Sequence, residues 1–249
     1  MTDTIQVATD APARGRGPST VRGRRPRRGS QHFRVVVVGA GFGGLAMGIR
    51  LRQQGMRDFV ILERAPDVGG VWHYNTYPGC MCDVPSHLYS FSFAPNPNWS
   101  HTYSPQAEIR EYLRDCADEF GIRAHLRTGV SVSGARWVDE DAVWEIETSA
   151  GTFSATTLVN AMGPLTEPRF PEIPGLDRFR GTAMHSARWD HDHRLTGERV
   201  ASIGTGCSAI QYVPEIQGDV EKLYVFQRTA PWVMPHSDRP ISDRERTLY

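Results

Sequence analysis

The chain has 249 residues, 39% of them hydrophobic and 22% charged, which is enough apolar material for a core and excludes wholesale disorder or a collagen-like repeat. Its 28 basic and 28 acidic side chains give zero formal net charge, so neither nucleic acid nor an anionic membrane is expected as the main partner. No apolar run suits a membrane span, and no secretory signal follows Met1. Four cysteines without a CxxC pair predict a reduced, cytoplasmic protein.

Residues 1–32 form an arginine-rich segment in which proline and glycine interrupt every basic run. Only Asp3 and Asp10 oppose the seven arginines, and no apolar periodicity is present. Such a segment buries too little surface to offset its ordering entropy, so we predict a disordered basic leader. A nucleic-acid arm or an organelle address is the alternative, although no aromatic side chain is interleaved with the arginines.

A strand, a glycine turn, a helix, a second strand and an acid follow one another from position 33. Residues 33–38 read FRVVVV, a short and nearly continuous β-branched run that is typical of a strand covered on both faces. The sequence GAGFGG occupies positions 39–44, helical periodicity follows, and the second strand, 59–62, ends at Glu63. This order predicts a Rossmann-like dinucleotide-binding unit, with a glycine turn that binds no ligand as the alternative.

Each glycine of that turn has an expected role. Gly39 permits the tight turn, Gly41 lets a diphosphate approach the backbone, and Gly44 lets the helix pack closely on the strand. Glu63 stands 24 positions after Gly39, where an acid accepts hydrogen bonds from ribose hydroxyls. The first nucleotide is therefore expected to carry free ribose hydroxyls, as FAD and NAD do.

The same pattern returns at position 199. Residues 199–203 read as a strand, GTGCSA forms a second glycine turn at 204–209, and a helix and another strand follow. Arg228 stands 24 positions after Gly204, where the first unit has its acid. A guanidinium binds a 2′-phosphate through paired hydrogen bonds, so the second nucleotide is expected to be NADP rather than NAD. A solvated surface arginine is the alternative.

Other elements lie between the two units. A long irregular stretch, 69–105, precedes a helix that starts after Ser104 and ends at Gly121. Strands are predicted over 130–138, 143–148 and 157–161, and a proline-rich connector runs from 164 to 174. The predicted fold is α/β, a three-layer FAD/NAD(P)-binding type with two Rossmann-like units, of which the second is incomplete.

Two longer motifs carry a family resemblance. The segment 69–83 resembles the GGxWxxxxYPGxxxD signature of Baeyer–Villiger monooxygenases, the class B flavin-containing monooxygenases. The segment 179–190 resembles that family's FxGxxxHxxxWD fingerprint at every fixed position, and its Trp189-Asp190 ending favours this branch over other flavin monooxygenases. The resemblance covers about residues 33–249 and implies an FAD-binding domain at 33–165 and an incomplete NADPH-binding domain at 166–249.

The resemblance also implies an activity. In the family, NADPH reduces FAD, the reduced flavin takes up O₂ as a C4a-peroxyflavin, and the peroxide converts a ketone to an ester or lactone. The expected partners are a small organic ketone and O₂, with no nucleic acid and no membrane. N- or S-oxygenation is an alternative outcome of the same chemistry.

Site residues carry over by position. Asp83 matches an active-site aspartate near the flavin, and His185 belongs to the fingerprint together with Trp189. Asp83 and His185 are the predicted catalytic residues. The expected FAD contacts are Gly39, Gly41, Gly44, Glu63, Gly70, Trp72, Asp83 and Tyr89. The expected NADPH contacts are Gly204, Gly206, Ser208, Gln211, Arg228 and Thr229.

Several of these residues also have plain structural explanations. Asp83 is of a type common in turns, Trp72 and Tyr89 suit an aromatic core, and His185 suits a hydrogen-bonded structural histidine. Residues 190–193, Asp-His-Asp-His, look like a metal cluster, but a solvated loop is expected and no metal site is predicted.

The chain is shorter than members of the family it resembles. Two strands and one helix do not bury both faces of a nucleotide-binding half-domain, so we expect a truncated chain whose missing C-terminal portion completes the site. The sequence therefore does not establish that this chain is active without the missing portion. A pyridine-nucleotide disulfide reductase, disfavoured by the lack of CxxC, and a non-catalytic nucleotide-binding fragment are the other hypotheses. Substrate identity and oligomeric state are not readable from the sequence.

Overall fold

The computed structural model describes residues 7–8 and 30–248, and the rest of the predicted leader lies outside the described residues. The chain divides into two compact units. The first takes its described residues from Met1–Gly70 and Asp115–Gly163, and the second takes them from Val71–Arg114 and Pro164–Tyr249. None of the described helices has the length and apolar character that a membrane span requires.

The first unit is built on a seven-stranded mixed sheet with the spatial order β1-β5-β6-β7-β2-β3-β4. Pairs β2–β3, β2–β7, β3–β4 and β1–β5 are parallel, whereas β5–β6 and β6–β7 are antiparallel. The strands are β1 (Val7–Ala8), β2 (Gln31–Val38), β3 (Phe59–Leu62), β4 (Leu126–Arg127), β5 (Val132–Val138), β6 (Val143–Thr148) and β7 (Gly151–Asn160).

The centre of this sheet is buried on both faces. All four residues of β3 and the last four of β2 are buried, as their continuous apolar runs predict for parallel strands. Helix α1 (Phe42–Gln53) covers one face, and a Cβ on its Gly48 would lie 2.7 Å from Ile61. The opposite face belongs to a cluster that includes Val36, Leu62, Ile146 and Phe153.

The second unit contains a parallel pair of strands, β8 (Arg199–Ile203) and β9 (Lys222–Phe226), joined through helix α4 (Cys207–Ile216). Short helices α2 (Val71–Tyr74) and α5 (Asp243–Arg246) belong to the same unit. Helix α3 (Gln106–Glu119) crosses the sequence boundary between the units, and its buried residues Ile109, Leu113 and Cys116 recur at helical spacing.

The predicted α/β class with two strand–turn–helix–strand units is confirmed, and the observed bounds differ from the expected ones at two places. Residues 31 and 32 belong to β2 rather than to the leader, because Gln31 and His32 pair with β7 beyond the run of valines. Residues 71–114, predicted to accompany the first glycine unit, fall in the second unit. The assignment of the domains to FAD and NADPH is not settled by this division and stays a proposal.

Candidate functional site

The first glycine turn follows β2 and is closed by the protein's own backbone. Gly39 has φ +99°, and its N–H donates to the carbonyl of Leu62 at 2.8 Å. A Cβ on Gly39 would lie 2.6 Å from the carbonyl oxygen of Ala161, and a Cβ on Gly44 would lie 1.8 Å from that of Gly39. The turn therefore lies at the carboxyl ends of β2, β3 and β7, and both positions require glycine.

Gly41 lies against a second glycine. A Cβ on Gly41 would lie 3.4 Å from the Cα of Gly70, which has φ +57°, and Gly69 N–H donates to the carbonyl of Ala40 at 3.0 Å. Gly41 is also the N-cap of α1 and offers no side chain to cap it. The helix N-terminus thus presents backbone amides and a partial positive charge, a combination that suits an anion.

Glu63 is buried, and its carboxylate holds the turn. Its Oε2 accepts a hydrogen bond from Ala40 N–H at 2.7 Å, and its Oε1 accepts one from Ala65 N–H at 2.8 Å. Only 5% of the residue is exposed. Glu63, the acid expected to bind a ribose, therefore also stabilises the turn by accepting two backbone hydrogen bonds, a role that the sequence analysis missed.

In the second unit, Gln211 on α4 joins the helix to the loop that carries Asp83. Its Nε2 donates to Asp83 Oδ1 at 2.8 Å and to the Met81 carbonyl at 3.1 Å. Its Oε1 accepts from Tyr77 OH at 2.9 Å and from Met81 N–H at 3.3 Å. The predicted NADPH contact Gln211 and the predicted catalytic residue Asp83 are therefore direct neighbours, 128 positions apart in sequence.

The same loop contains buried hydroxyl and thiol groups that stay protonated. Burial raises the pKa of Tyr77 strongly, against a hydrogen bond with Ser208 that lowers it. Burial likewise raises the pKa of the Cys80 thiol to about 11 and raises the pKa of Cys82. Ser208 thus contacts this loop, and neither thiol has the low pKa of a redox-active cysteine.

Trp72 and Tyr89 form a pair in this unit. Trp72 Nε1–H donates to Tyr89 OH at 3.1 Å, and the rings meet edge to face with centroids 5.4 Å apart. Burial raises the pKa of the Tyr89 phenol, which the Trp72 hydrogen bond partly opposes. The predicted flavin residues 72, 83 and 89 therefore belong to the second unit, whereas the first glycine turn and Glu63 belong to the first.

His185 lies in a small turn of the fingerprint segment. Ala187 N–H donates to its Nδ1 at 3.0 Å, and its ring meets Phe170 with centroids 5.9 Å apart. Partial burial and then the nearby Arg188 lower its pKa. Because Nδ1 accepts the Ala187 hydrogen bond, the neutral form of the imidazole carries its proton on Nε2. Trp189 packs on Tyr212 of α4, with centroids 5.4 Å apart.

The Asp-His-Asp-His segment is tied into local hydrogen bonds. His191 Nε2 lies 2.8 Å from the Thr76 hydroxyl, and His193 Nε2 lies 3.0 Å from a Glu198 carboxylate oxygen. Among the described residues, no group of three or more His, Cys, Asp or Glu side chains is arranged to hold a metal ion.

The second glycine turn is open. Gly204 has φ +103° and donates its N–H to the Phe226 carbonyl at 2.9 Å, which fixes the turn at the carboxyl ends of β8 and β9. Apart from each glycine's chain neighbours and its own helix, no heavy atom of the described residues lies within 4 Å of a Cβ built on Gly204 or on Gly206, the N-cap of α4. Space therefore remains directly above the helix N-terminus.

A cleft of ≈ 1180 Å³ opens on this turn. It brings together most of the residues predicted to bind NADPH, since Gly204, Gly206, Arg228 and Thr229 all line it. Ser208 and Gln211 are absent from its lining and instead face the 77–83 loop. The connector contributes residues that the sequence analysis did not single out, namely Arg169, Phe170, Pro171 and Glu172.

Comparison with known proteins places this geometry in context. The model of the family described as pyridine nucleotide-disulphide oxidoreductase matches residues 36–244. A Baeyer–Villiger monooxygenase of Streptomyces coelicolor is 59% identical over 219 residues, covering 88% of this chain and 42% of the relative.

Solved structures give the same result. Oxidized steroid monooxygenase bound to NADP is 44% identical with a TM-score of 0.80, covering 88% of this chain and 43% of that one. The OTEMO complex with FAD and NADP is 35% identical with a TM-score of 0.82, covering 87% of this chain and 42% of that one. The chain thus spans less than half the length of each of these proteins.

The two nucleotide-type turns, the fingerprint residues and the similarities agree. The resemblance to Baeyer–Villiger monooxygenases is confirmed at the level of homology, and the roles of individual residues stay predictions. The chain belongs to the pyridine nucleotide-disulphide oxidoreductase family and is homologous to Baeyer–Villiger monooxygenases.

Proposed function

We propose that this chain carries FAD- and NADPH-binding elements of a Baeyer–Villiger monooxygenase, which converts a small ketone to an ester or lactone with O₂. The observation that carries the proposal is the pair of glycine turns, each at the carboxyl end of a parallel strand, with Glu63 behind the first and Arg228 beside the second. The Baeyer–Villiger monooxygenase relative and the similar OTEMO structure, a complex with FAD and NADP, support it.

The residues at the first turn fit FAD. The amides at the N-terminus of the 12-residue helix α1 suit a diphosphate, and Gly41 places no side chain in its path. Glu63 accepts one backbone hydrogen bond on each carboxylate oxygen, which leaves further lone pairs for ribose hydroxyls.

The residues at the second turn fit NADPH. The cleft combines the N-terminus of α4 for the diphosphate with the Arg228 guanidinium and the Thr229 hydroxyl for the 2′-phosphate. Gly206 leaves open space for a phosphate to approach the backbone.

When bound, FAD and NADPH supply the redox and oxygen-transfer chemistry, and the protein supplies binding and orientation. Gln211 orients Asp83 by donating to its Oδ1, and the other lone pairs of that carboxylate can accept from a cationic group. Trp72 and Tyr89 hold each other as a rigid aromatic pair. His185 keeps Nδ1 as an acceptor and Nε2 as a donor.

The alternatives make different predictions. Disulfide reduction is disfavoured because the buried Cys80 and Cys82 thiols have raised pKa values. N- or S-oxygenation would give turnover with an amine or a sulfide in place of a ketone. We also propose that turnover requires a polypeptide equivalent to the part of the relatives that this chain does not cover. We further propose that the protein works in the cytoplasm, where its cysteines stay reduced.

Titration of the purified chain with FAD and, separately, with NADPH tests the proposal. The chain is expected to bind both, and Gly206→Asp is expected to abolish NADPH binding without affecting FAD, because it puts a negative charge at the N-terminus of α4. A non-catalytic fragment would bind both nucleotides yet give no turnover when combined with the complementary part of a relative. A chain that binds neither nucleotide contradicts the proposal.

A further inference from the structure

The connector residue Arg169 lines the same cleft as Arg228. The cleft is therefore bordered by two guanidinium-bearing residues from different segments, one before β8 and one after β9. Gly204 and Gly206 of the second turn lie in the same lining. Two cationic side chains beside a turn that suits a diphosphate form an environment for a second, separate phosphate group.

Arg169 forms a solvent-exposed ion pair with Glu172, and this pair leaves the guanidinium accessible to a ligand. Arg169 Nη2 lies 3.4 Å from Glu172 Oε1, and the two side chains are 76% and 89% exposed. An ion pair so open to solvent contributes little to stability, so a phosphate can displace the carboxylate. Glu172 also lines the cleft, where its charge competes with an anionic ligand for Arg169.

The apolar lining of the cleft suits the rest of an adenosine group. Phe170 is adjacent to Arg169 and 47% exposed, and Phe226 at the end of β9 is 56% exposed. Aromatic faces beside a phosphate-binding cation are the surroundings in which a purine base stacks.

We propose that Arg169 is a second 2′-phosphate-binding residue, which together with Arg228 selects NADPH over NADH, and that Glu172 weakens this selection by pairing with Arg169. The inference rests on the proposed NADPH site and adds a specificity residue from the connector. Arg169 reads the 2′-phosphate only, so its removal acts on ligands that carry this group and leaves those without it unaffected.

Binding of adenosine 2′,5′-bisphosphate and of ADP to the whole chain, measured by calorimetry, tests this. We expect Arg169→Ala to weaken binding of the bisphosphate about tenfold, as for loss of a charged hydrogen bond, with binding of ADP unchanged. Glu172→Gln should tighten binding of the bisphosphate. Arg194→Ala, which removes an exposed arginine outside the cleft lining, is the matched control and should change neither affinity.

The outcomes separate this inference from the proposed function. If the unchanged chain prefers the bisphosphate and Arg169→Ala has no effect, or weakens both ligands equally, Arg169 does not read the 2′-phosphate while the NADPH site stands. Weaker bisphosphate binding by Glu172→Gln would overturn the competing role of that carboxylate. Binding of neither ligand by the unchanged chain would overturn the proposed site together with the inference.

Discussion

The two glycine turns share a sequence pattern but differ in their surroundings. At the first, Cβ atoms on Gly39 and Gly44 would lie 2.6 Å and 1.8 Å from carbonyl oxygens of the protein itself. At the second, within residues 7–8 and 30–248, a Cβ on Gly204 or Gly206 has no heavy atom within 4 Å other than those of its chain neighbours and its own helix. The first turn needs its glycines in order to fold, whereas Gly206 is free of that constraint and leaves room for a ligand.

The largest expected effect tests this difference directly. Gly44→Ala should lower the free energy of unfolding by about 3 kcal/mol or more, because its Cβ overlaps the Gly39 carbonyl. Gly206→Ala, a glycine-to-alanine change in the open turn at a position where the added Cβ meets no other side chain in the part of the chain that the structure describes, should cost about 1 kcal/mol or less. Urea denaturation of both variants provides the measurement, and equal losses would show that the turns do not differ in packing.

Glu63 provides the next test of the closed turn. Glu63→Ala leaves the buried N–H groups of Ala40 and Ala65 without their acceptor, and we expect a loss of about 2 to 3 kcal/mol in the free energy of unfolding. Glu221→Ala, at an exposed position, serves as the control. A variant as stable as this control would mean that the carboxylate does not hold the turn.

The open turn is expected to respond in binding rather than in stability. Arg228→Ala should weaken NADPH binding about tenfold and leave NADH binding unchanged, since only NADPH carries the 2′-phosphate. Its unfolding curve should match that of the wild type because Arg228 is exposed. Fluorescence titration with both nucleotides checks this, and equal weakening of both would show that Arg228 does not discriminate between them.

The smallest expected effect is a pH dependence at His185. Its pKa is lower in the folded chain than in the unfolded chain, so the unfolded state binds more protons between the two values. Above the pKa that His185 has in the unfolded chain, the group does not reduce the free energy of unfolding. The free energy of unfolding then falls as the pH drops from that pKa towards the lower pKa of the folded chain. His185→Asn should flatten the melting-temperature profile in that range, and an unchanged profile would mean that His185 does not contribute to it.

The sequence predicted elements well where a continuous apolar run has a clear end. The bounds of β3, β6 and β8 agree with the prediction, because each strand is short and bounded by turn residues. The two-residue strand β4 carries too little pattern to be found, and β7 begins at Gly151, six residues before its predicted start. Pairing with β6 extends β7 back to Gly151, and this added part includes the buried Phe153 and Ala155.

The site was predictable in its residue types but not in its partners. Glycine spacing and the two fingerprints identified Gly39, Gly204 and Arg228, yet the bond from Gln211 to Asp83 joins segments 128 positions apart. Glu63 was expected to face a ribose, and its hydrogen bond to Ala40 depends on how closely the turn approaches β3. Arg169 sits in a connector with no motif, so only the folded cleft brings it beside Arg228.

Amide hydrogen exchange on the chain with FAD, with NADP⁺, and without ligand tests the central claim most directly. We predict that FAD slows exchange at residues 40–45 of the first turn and NADP⁺ slows it at 205–209 of the second. Protection of the wrong turn by either ligand, or of neither turn at saturating concentrations, would contradict the assignment of one nucleotide to each turn.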